Sequence, residues 1–477
     1  MTKITVSKKD LNSQPKKYVR LILTEQSKDW HRLIETADGQ LEYRMGVGKY
    51  KNINPRKFIT LLRTTVLAAK SHQIEFLAID FSKSTFPQLN KIYSEEWILS
   101  TIAENLTLAN YEFTKYKSKL SNKKSLKEIV ICGDYSKKAK EGFTRGLTVA
   151  TSTNLARTIA NTTAEDMTPT QLATEAKKAL ANTKAIVKVL SEKEIKKQKM
   201  NLLHAVGQGS LNETKLILIE YYGAGKPKGK NVTKALQPVV LIGKGITYDT
   251  GGLNVKPSGA MHDMHMDMSG GSAVIGAMQA IAKLKLKKNV IGIIPAAENA
   301  VSDKAMRAGD IITAMNGKTV EVLHTDAEGR LVLADALTYC ERYQPKAIVD
   351  VATLTGASLV ALGQHASVIM TKDEKFETKL RSWGEESGDY VWPLPLWDEY
   401  QQYIRSTRAD LSNIAANFSR FGGTIEGGAF LANFAPKKVP WAHIDIAPRM
   451  EAISSDKLAK GSTGEPVRLL VKLAEQY

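Results

Sequence analysis

The chain has 477 residues, of which 43% are hydrophobic and 24% are charged, as in soluble globular proteins built from more than one domain. No apolar run reaches membrane-spanning length, and the polar N-terminus lacks the apolar core of a secretory signal. The two cysteines, Cys132 and Cys340, point to neither a disulfide framework nor a cysteine-based zinc site. We therefore expect a cytoplasmic protein.

Positive charge is concentrated in the N-terminal third of the chain. The formal net charge is +18, and residues 1–150 contain 27 Lys and Arg against 15 Asp and Glu. A basic surface can attract nucleic acid by neutralising its phosphates. DNA binding through this domain is therefore an alternative function, alone or alongside an enzymatic activity. An ordinary solvated surface explains the same charge.

In chain order, short β-branched runs alternate with helical patterns. Strands are predicted at "YVRLIL", "IEFLAID" and "IVIC", a long helix over 142–163, and a helix capped by Thr168 with Pro169 in its first turn. Further strand-like runs are "AIVKVL", "LILIEYY", "PVVLIG", "NVIGIIP" and "AIVDVA". This alternation predicts a smaller N-terminal α/β domain (1–150), a helical connector (151–165) and a larger C-terminal α/β domain (166–477). The central sheet of the larger domain should be mostly parallel.

A first polar cluster follows the predicted strand "PVVLIG". The stretch "GKGITYDTGGLNVKP" contains Lys244, Asp249 and Lys256 among several glycines. In parallel sheets, ligands bind beyond the carboxyl ends of the strands. The spacing of a phosphate-binding loop is absent, and a plain surface loop is the alternative.

A second cluster lies in "HTDAEGRLVLADAL". On an extended backbone, Asp326, Glu328 and Arg330 would point the same way, and Gly329 would let the chain turn into a helix. A solvated loop with a chance ion pair is the alternative for such a pattern taken alone.

A third cluster repeats this design. In "MHDMHMDMSGG", Asp263, His265 and Asp267 alternate before glycines and an amphipathic helix. Carboxylates at buried strand ends are costly unless they are paired or bind metal. Three clusters placed alike therefore predict a divalent metal site.

These motifs resemble the metal-binding and signature motifs of the leucyl aminopeptidase (cytosol aminopeptidase) family. The resemblance continues through "IIPAAENAVS", "VDVATLTGA", "GGTIEGGAFLANF" and "WAHIDIA", and it covers roughly residues 150 to 470. It makes residues 166–477 the expected catalytic domain. The basic segment before it shares only its place in the chain with the family.

The resemblance implies a two-metal exopeptidase. One ion would be held by Lys244, Asp249, Asp267 and Glu328, and the other by Asp249, Asp326 and Glu328. Because these ligands are mostly oxygens, Mn, Zn or Mg would suit them. A metal-bridging water would attack the first peptide bond of a substrate with a free N-terminus. A homohexamer is also implied.

The remaining roles are likewise implied by the resemblance. Lys256 would stabilise the oxyanion, and Arg330 would hold a bicarbonate that acts as general base; an ion pair with a ligating acid is the alternative for Arg330. The substrate would contact Met264, Thr353, Leu354 and Gly356. An apolar pocket favours Leu or Met with broad selectivity, although Met264 is also explained as core.

Several positions depart from the family pattern. His324 stands where the signature usually begins with Asn, Pro448 stands where Gly is usual, and "TGEPVR" brings in Glu465 and Pro466. Because proline fixes φ and removes a donor, we expect a reshaped rim of the substrate pocket. His443, on an apolar strand, is expected to be a core residue.

Overall fold

The computed structural model describes residues 2–81, 86–118, 125–227, 232–418 and 421–477. These residues form two compact units. The first contains Met1–Thr151 and Ile453–Lys460, and the second contains Ser152–Ala452 and Gly461–Tyr477. None of the described helices combines the length and apolar character that crossing a bilayer requires.

The first unit contains a mixed sheet whose described strands follow the order β1-β6-β5-β2-β4-β3. Every neighbouring pair is parallel except β3 and β4. The strands are β1 (Lys3–Ser7), β2 (Val19–Thr24), β3 (His31–Glu35), β4 (Leu41–Gly46), β5 (Phe76–Ile79) and β6 (Glu128–Cys132). The helices are α1 (Pro55–Ser71), α2 (Pro87–Ile92), α3 (Glu95–Asn110) and α4 (Lys137–Asn161), the last of which ends in the second unit.

Local sequence explains where the helices of this unit begin. Asn54 accepts a hydrogen bond from the main-chain N–H of Lys57, with Pro55 in the first turn of α1. Ser94 caps α3 in the same way. Leu62 and Leu99 of these helices are fully buried in the core on one face of the sheet.

The second unit is larger. Its strands are β7 (Ile186–Leu190), β8 (Lys215–Tyr222), β9 (Val239–Gly243), β10 (Gly245–Asp249), β11 (Asn289–Asn299), β12 (Ile311–Thr313), β13 (Thr319–Glu321), β14 (Ala347–Ala352), β15 (Ser367–Met370), β16 (Val391–Pro393), β17 (Leu411–Ser412) and β18 (Trp441–Asp445). Its helices are α5 (Pro169–Leu180), α6 (Glu192–Lys197), α7 (Asn201–Gly207), α8 (Ser269–Lys283), α9 (Gly329–Cys340), α10 (Ala357–Leu362), α11 (Glu374–Ser387), α12 (Gly423–Leu431) and α13 (Val467–Gln476).

The main sheet of this unit follows the order β16-β15-β18-β14-β9-β11-β8-β7, and β10 pairs with β11. Its centre, from β18 to β11, is parallel, whereas β7, β8 and β15 join by antiparallel pairing. A side chain on Gly292 would meet α8, while Ile291 and Ile293 belong to the core cluster that contains the apolar residues of α9. Helices therefore cover both faces, as the alternating side-chain directions of a strand require.

The predicted fold class is confirmed: a smaller N-terminal and a larger C-terminal α/β domain, the latter with a mostly parallel central sheet. The domain limits 1–150, 151–165 and 166–477 stay predictions. In the structure, α4 passes through residue 151 without a break, and Ile453–Lys460 belongs to the first unit. The cap at Thr168 is present, because its hydroxyl accepts from the N–H of Gln171.

Asn289 provides a test of the fold away from the active site. It is 1% exposed, donates to the carbonyls of Gly225 and Leu236 at 2.8 Å each, and accepts from the N–H of Ala224 at 3.1 Å. Because Asn289→Ala would remove three hydrogen bonds made by a buried side chain, we expect it to lower the free energy of unfolding by about 1–3 kcal/mol. The midpoint of thermal unfolding measures this loss.

The control variant is Asn201→Ala, which removes one exposed hydrogen bond to the carbonyl of Thr313. It should shift the thermal midpoint much less than Asn289→Ala. Equal shifts in the two variants would contradict the assigned role of Asn289.

Candidate active site

The charged residues of the site lie at the carboxyl edge of the parallel strands, inside the second unit. Lys244 directly follows β9, Asp249 ends β10, and Thr353 directly follows β14. Asp267 lies on a short 3-10 helix, Met264–Met268, that leads into α8. Asp326 and Glu328 lie in the turn before α9, where Glu328 is the N-cap residue. The strand ends thus bring together segments that are far apart in sequence.

Two glycines permit this close arrangement. Gly251 has φ of 86°, a left-handed conformation that glycine adopts without strain, and it turns the chain after β10. Gly329 begins α9 against the side chain of Lys244. A Cβ at position 329 would lie 2.6 Å from Cε and 2.7 Å from Nζ of Lys244.

Three of the carboxylates could share a metal ion. Asp249, Asp326 and Glu328 each offer an oxygen, and these oxygens lie within 4.8 Å of one another. Asp249 and Glu328 are almost fully buried, whereas Asp326 is partly exposed. The cluster therefore opens to solvent on the side of Asp326.

Lys244 connects this cluster to Asp267. Its Nζ lies 2.9 Å from Asp267 Oδ1 and 2.8 Å from Glu328 Oε1. It also donates to the carbonyl oxygen of Thr353 at 3.1 Å. The Thr353 hydroxyl donates to Asp267 Oδ1 at 2.6 Å, so Thr353 fixes both partners of the ion pair.

Lys256 holds the opposite side of the cluster. Its Nζ lies 2.8 Å from Asp249 Oδ2 and forms a second, shorter ion pair with Asp326. The other oxygen of Asp249 accepts from the N–H of Gly251 and from the amide of Asn299, at 2.9 and 2.8 Å. Asp249 is thereby oriented on both oxygens.

The pKa values of these groups reflect an excess of buried negative charge. Burial raises the pKa of Asp267 and of Glu328 to about 7, and burial together with Asp249 raises the pKa of Asp326 to about 6. Burial alone would lower the pKa of Lys244, but the carboxylates around it outweigh burial and raise that pKa. The four carboxylates outnumber the two lysines facing them, and a bound cation would relieve the repulsion.

Two buried oxygens support the fit to a metal. Asp267 Oδ2 and Glu328 Oε1 make no hydrogen bond with any described residue, although each lies 2.8 Å from Lys244 Nζ. Buried carboxylate oxygens rarely stay without a hydrogen bond. A donor set of carboxylate oxygens and an amine suits Mg, Mn or Zn rather than a metal that prefers thiolates.

Arg330 lies beside the cluster but pairs elsewhere. In the first turn of α9, its Nη1 donates to Glu426 Oε1 at 2.9 Å and to the carbonyl of Asn413 at 2.6 Å. Arg330 thus forms its ion pair with Glu426, a carboxylate outside the metal-binding set. The alternative drawn from the sequence, an ion pair between Arg330 and a metal-ligating acid, does not describe this contact.

The predicted substrate-binding residues surround the same edge of the sheet. Met264 lies three residues before Asp267 on one 3-10 helix, where such side chains share a face. The N–H of Leu354 donates to Asp445 at 3.0 Å. Gly356, before α10, faces open space, since a Cβ there would meet nothing within 4 Å.

The expected extended backbone at the second and third clusters is wrong. Asp267 lies on a 3-10 helix, and Asp326 and Glu328 occupy a turn with Glu328 in the helical region. The convergence of the acids comes from the helix starts of α8 and α9 instead. The main-chain N–H of Asp326 donates to Nδ1 of His324 at 3.3 Å.

Sequence reasoning missed the residues that brace the site. They are Asn299, Asn413, Glu426 and Asp445. The quoted motifs contain Asn299, Glu426 and Asp445 but not Asn413. Each of the four acts on a residue tens of positions away, for which local spacing gives no signal. His443 is fully buried and its Nδ1 bonds Asp350, although its Nε2 lacks a partner among the described residues.

Comparisons of the sequence with known proteins point to one family. Residues 154–471 match the catalytic domain of the cytosol aminopeptidase family, and residues 43–120 match its N-terminal domain. A probable cytosol aminopeptidase of Pasteurella multocida is 41% identical over 92% of this chain and 86% of its own length. One of Nitrosococcus oceani is 43% identical over 76% of this chain and 70% of its own.

Solved structures extend the similarity. A tomato leucine aminopeptidase mutant superposes with a TM-score of 0.86 at 26% identity, covering 100% of this chain and 97% of its own. A bottromycin maturation enzyme in complex with Mn gives 0.83 at 28% identity, covering 100% and 99%. The chain belongs to the cytosol aminopeptidase family. It is a metallo-exopeptidase of the leucyl aminopeptidase type, a hydrolase.

The packing of Gly329 against Lys244 yields a prediction. Because Lys244 is held by ion pairs on both sides, the Cβ of Gly329→Ala would push it out of place. We expect lower bound-metal content, measured by elemental analysis after dialysis. Gly423→Ala is the matched control, since Gly423 also begins a helix but its Cβ would stand 3.3 Å from Ala357. Full metal retention by Gly329→Ala would refute the packing argument.

Proposed function

We propose that the chain removes the N-terminal residue of peptides at a centre of two divalent ions. Lys244, Asp249, Asp267 and Glu328 would hold one ion, and Asp249, Asp326 and Glu328 the other. The observation that supports this assignment is the group of four carboxylates, of which Asp249, Asp267 and Glu328 are buried. Oxygens of Asp249, Asp326 and Glu328 lie within 4.8 Å of one another. When bound, the ions supply Lewis acidity for a bridging water nucleophile and for the substrate carbonyl.

Lys244 can act as a ligand only when it is neutral. Its burial favours the neutral form, while the carboxylates beside it favour the ammonium. Cations bound by the same carboxylates would cancel the attraction that favours the ammonium. Burial would then lower the pKa of Lys244. Lys244 would then give up its proton as the ions are loaded.

Lys256 has a different proposed role. Its Nζ lies between Asp249 and Asp326 on the more open side of the cluster. Once the ions take over these carboxylates, its ammonium would be free to stabilise the oxyanion that forms at the attacked carbonyl. Because this interaction would develop only in the transition state, it would raise kcat.

Arg330 is the proposed holder of bicarbonate. Its Nε is buried and without a partner among the described residues, as a site for a planar oxyanion requires. A bicarbonate held there would supply a general base for the attacking water. The pairing of Arg330 with Glu426 leaves this edge of the guanidinium available.

We propose a broad preference for Leu or Met at the substrate N-terminus, with Met264, Thr353, Leu354 and Gly356 at the pocket. The half-buried Leu354 and Met264 offer apolar surface, and one methylene there changes selectivity by only about 1–3 kcal/mol. Because the polar atoms of Thr353 bind Asp267 and Lys244, its contribution would be to place these ligands.

The wider setting remains a proposal from the family resemblance: a homohexamer in the cytoplasm, with Mn or Zn as the ions. DNA is the alternative partner of the basic N-terminal domain. Part of the basic run at 115–124 lies outside the described residues. Within the described part of the chain no feature favours DNA over a solvated surface, so we retain peptide hydrolysis as the function.

Metal removal tests the proposed function. Exhaustive chelation should abolish hydrolysis of leucinamide, and Mn or Zn should restore it, because the ions activate the nucleophile. The N-acetylated substrate is the control, since an amide nitrogen offers no lone pair to a metal, and it should not be cleaved by any form. Activity of the metal-free enzyme, verified by elemental analysis, would overturn the proposal.

Two variants separate chemistry from metal binding. Lys256→Ala should lower kcat by about 100-fold or more, the size of effect seen when one oxyanion donor is lost, while both ions stay bound. Glu328→Ala should lose metal as well as rate, because its carboxylate would bridge the ions. Elemental analysis and steady-state kinetics distinguish the two. Two bound ions and near-normal rates in both variants would refute these roles.

A further inference from the structure

The guanidinium of Arg330 is fixed from one side only. Its Nη1 donates both to Glu426 Oε1, at 2.9 Å, and to the carbonyl of Asn413, at 2.6 Å. The two side chains are 6% and 5% exposed, so little water competes for the ion pair. Two bonds to one nitrogen fix the plane of the guanidinium and the direction of its other donors.

The described residues give no hydrogen bond to the opposite edge of the guanidinium, which Nε and Nη2 form. Nε has no hydrogen-bond partner in the described part of the chain. Nη2 lies 3.5 Å from where a Cβ would stand on Gly427, and Leu354 Cδ2 lies 2.9 Å from that point. Because Gly427 has no side chain, both Nη2 of Arg330 and the side chain of Leu354 fit beside it. Nε and Nη2 are the parallel donors that fit two oxygens of a planar anion.

Glu426 is itself firmly placed. It lies on α12, and its second oxygen accepts from the N–H of Ala415 at 3.0 Å. The same segment contains Asn413, whose amide accepts from the N–H of Leu323 at 2.8 Å and donates to the carbonyl of His324 at 2.7 Å. The segment 413–415 therefore orients Glu426 through a main-chain N–H and braces the turn that carries the metal-binding acids through the Asn413 side chain.

We infer that Glu426 is a positioning residue that turns the Nε–Nη2 edge of Arg330 toward a planar oxyanion at the active site. This inference rests on the proposed function, in which Arg330 holds bicarbonate. Without Glu426, the guanidinium would lose its charged partner and could rotate to bind through other nitrogens. The anion would then bind more weakly and out of line with the attacked carbonyl.

Binding of ¹³C-labelled bicarbonate to the metal-loaded enzyme, measured by NMR line broadening, tests this directly. Glu426→Ala should weaken bicarbonate binding by about tenfold or more, as the loss of a charged hydrogen bond implies. It should lower kcat on the order of 100-fold, because a small displacement of a catalytic group has that effect. KM and metal content should stay near normal. Glu426→Gln, which keeps an acceptor for Arg330, should recover part of both losses.

The matched control is Asp389→Ala. Asp389 pairs with a buried arginine, Arg468, and accepts from a main-chain N–H, that of Leu469, as Glu426 does with its own partners. Its loss should lower thermal stability and leave bicarbonate affinity unchanged. A double variant, Arg330→Ala with Glu426→Ala, should have the kcat of Arg330→Ala alone, because Glu426 acts through Arg330.

If the wild type binds bicarbonate and hydrolyses leucinamide, unchanged or tighter bicarbonate binding by Glu426→Ala overturns the inference but not the proposed function. A kcat of the double variant below that of Arg330→Ala alone also overturns the inference but not the proposed function. A wild type that neither binds bicarbonate nor hydrolyses leucinamide overturns the proposed function and the inference together.

Discussion

The concentration of buried negative charge at one edge of the sheet is the constraint on which the rest of the site depends. Carboxylates removed from water are costly unless cations compensate them. Lys244 and Lys256 each contact two of the four acids, and the raised pKa values of Asp267 and Glu328 show that this compensation is incomplete. Such a site favours the binding of metal ions, because each ion removes repulsion that the fold already holds.

The parallel sheet explains why this charge can be gathered at all. Strands β9 and β14 end side by side, and helices α8 and α9 begin at the same edge. Helix N-termini carry partial positive charge from unpaired N–H groups. Asp267 lies just before α8, and Glu328 occupies the N-cap position of α9, although its side chain makes no capping hydrogen bond. Both carboxylates thus lie near helix N-termini, whose partial positive charge favours anions, and the small residue Gly329 lets Lys244 reach between them.

The sequence was sufficient for the fold class and for the convergence of the acids, since both follow from short-range patterns. Alternating apolar runs predict the sheet, and clusters after strands predict a site at its edge. It was insufficient for local conformation, because D-x-E spacing fits an extended strand and a turn before a helix equally well. The ion-pair partner of Arg330 could not be predicted from the sequence either, because Glu426 lies 96 residues away. Only the folded chain brings α12 beside α9.

The departures from the family pattern near the C-terminus follow the same logic of compensation. Glu465, in "TGEPVR", contacts Arg449, in "DIAPRM", at 2.8 Å, and both side chains are less than a tenth exposed. Arg449 also donates to the carbonyl of Gln364, which follows α10. Because one charge of a buried pair cannot be removed without leaving the other uncompensated, the two unusual residues form a single structural unit. The segments 446–450 and 462–466 are therefore constrained together, independently of the metal-binding acids.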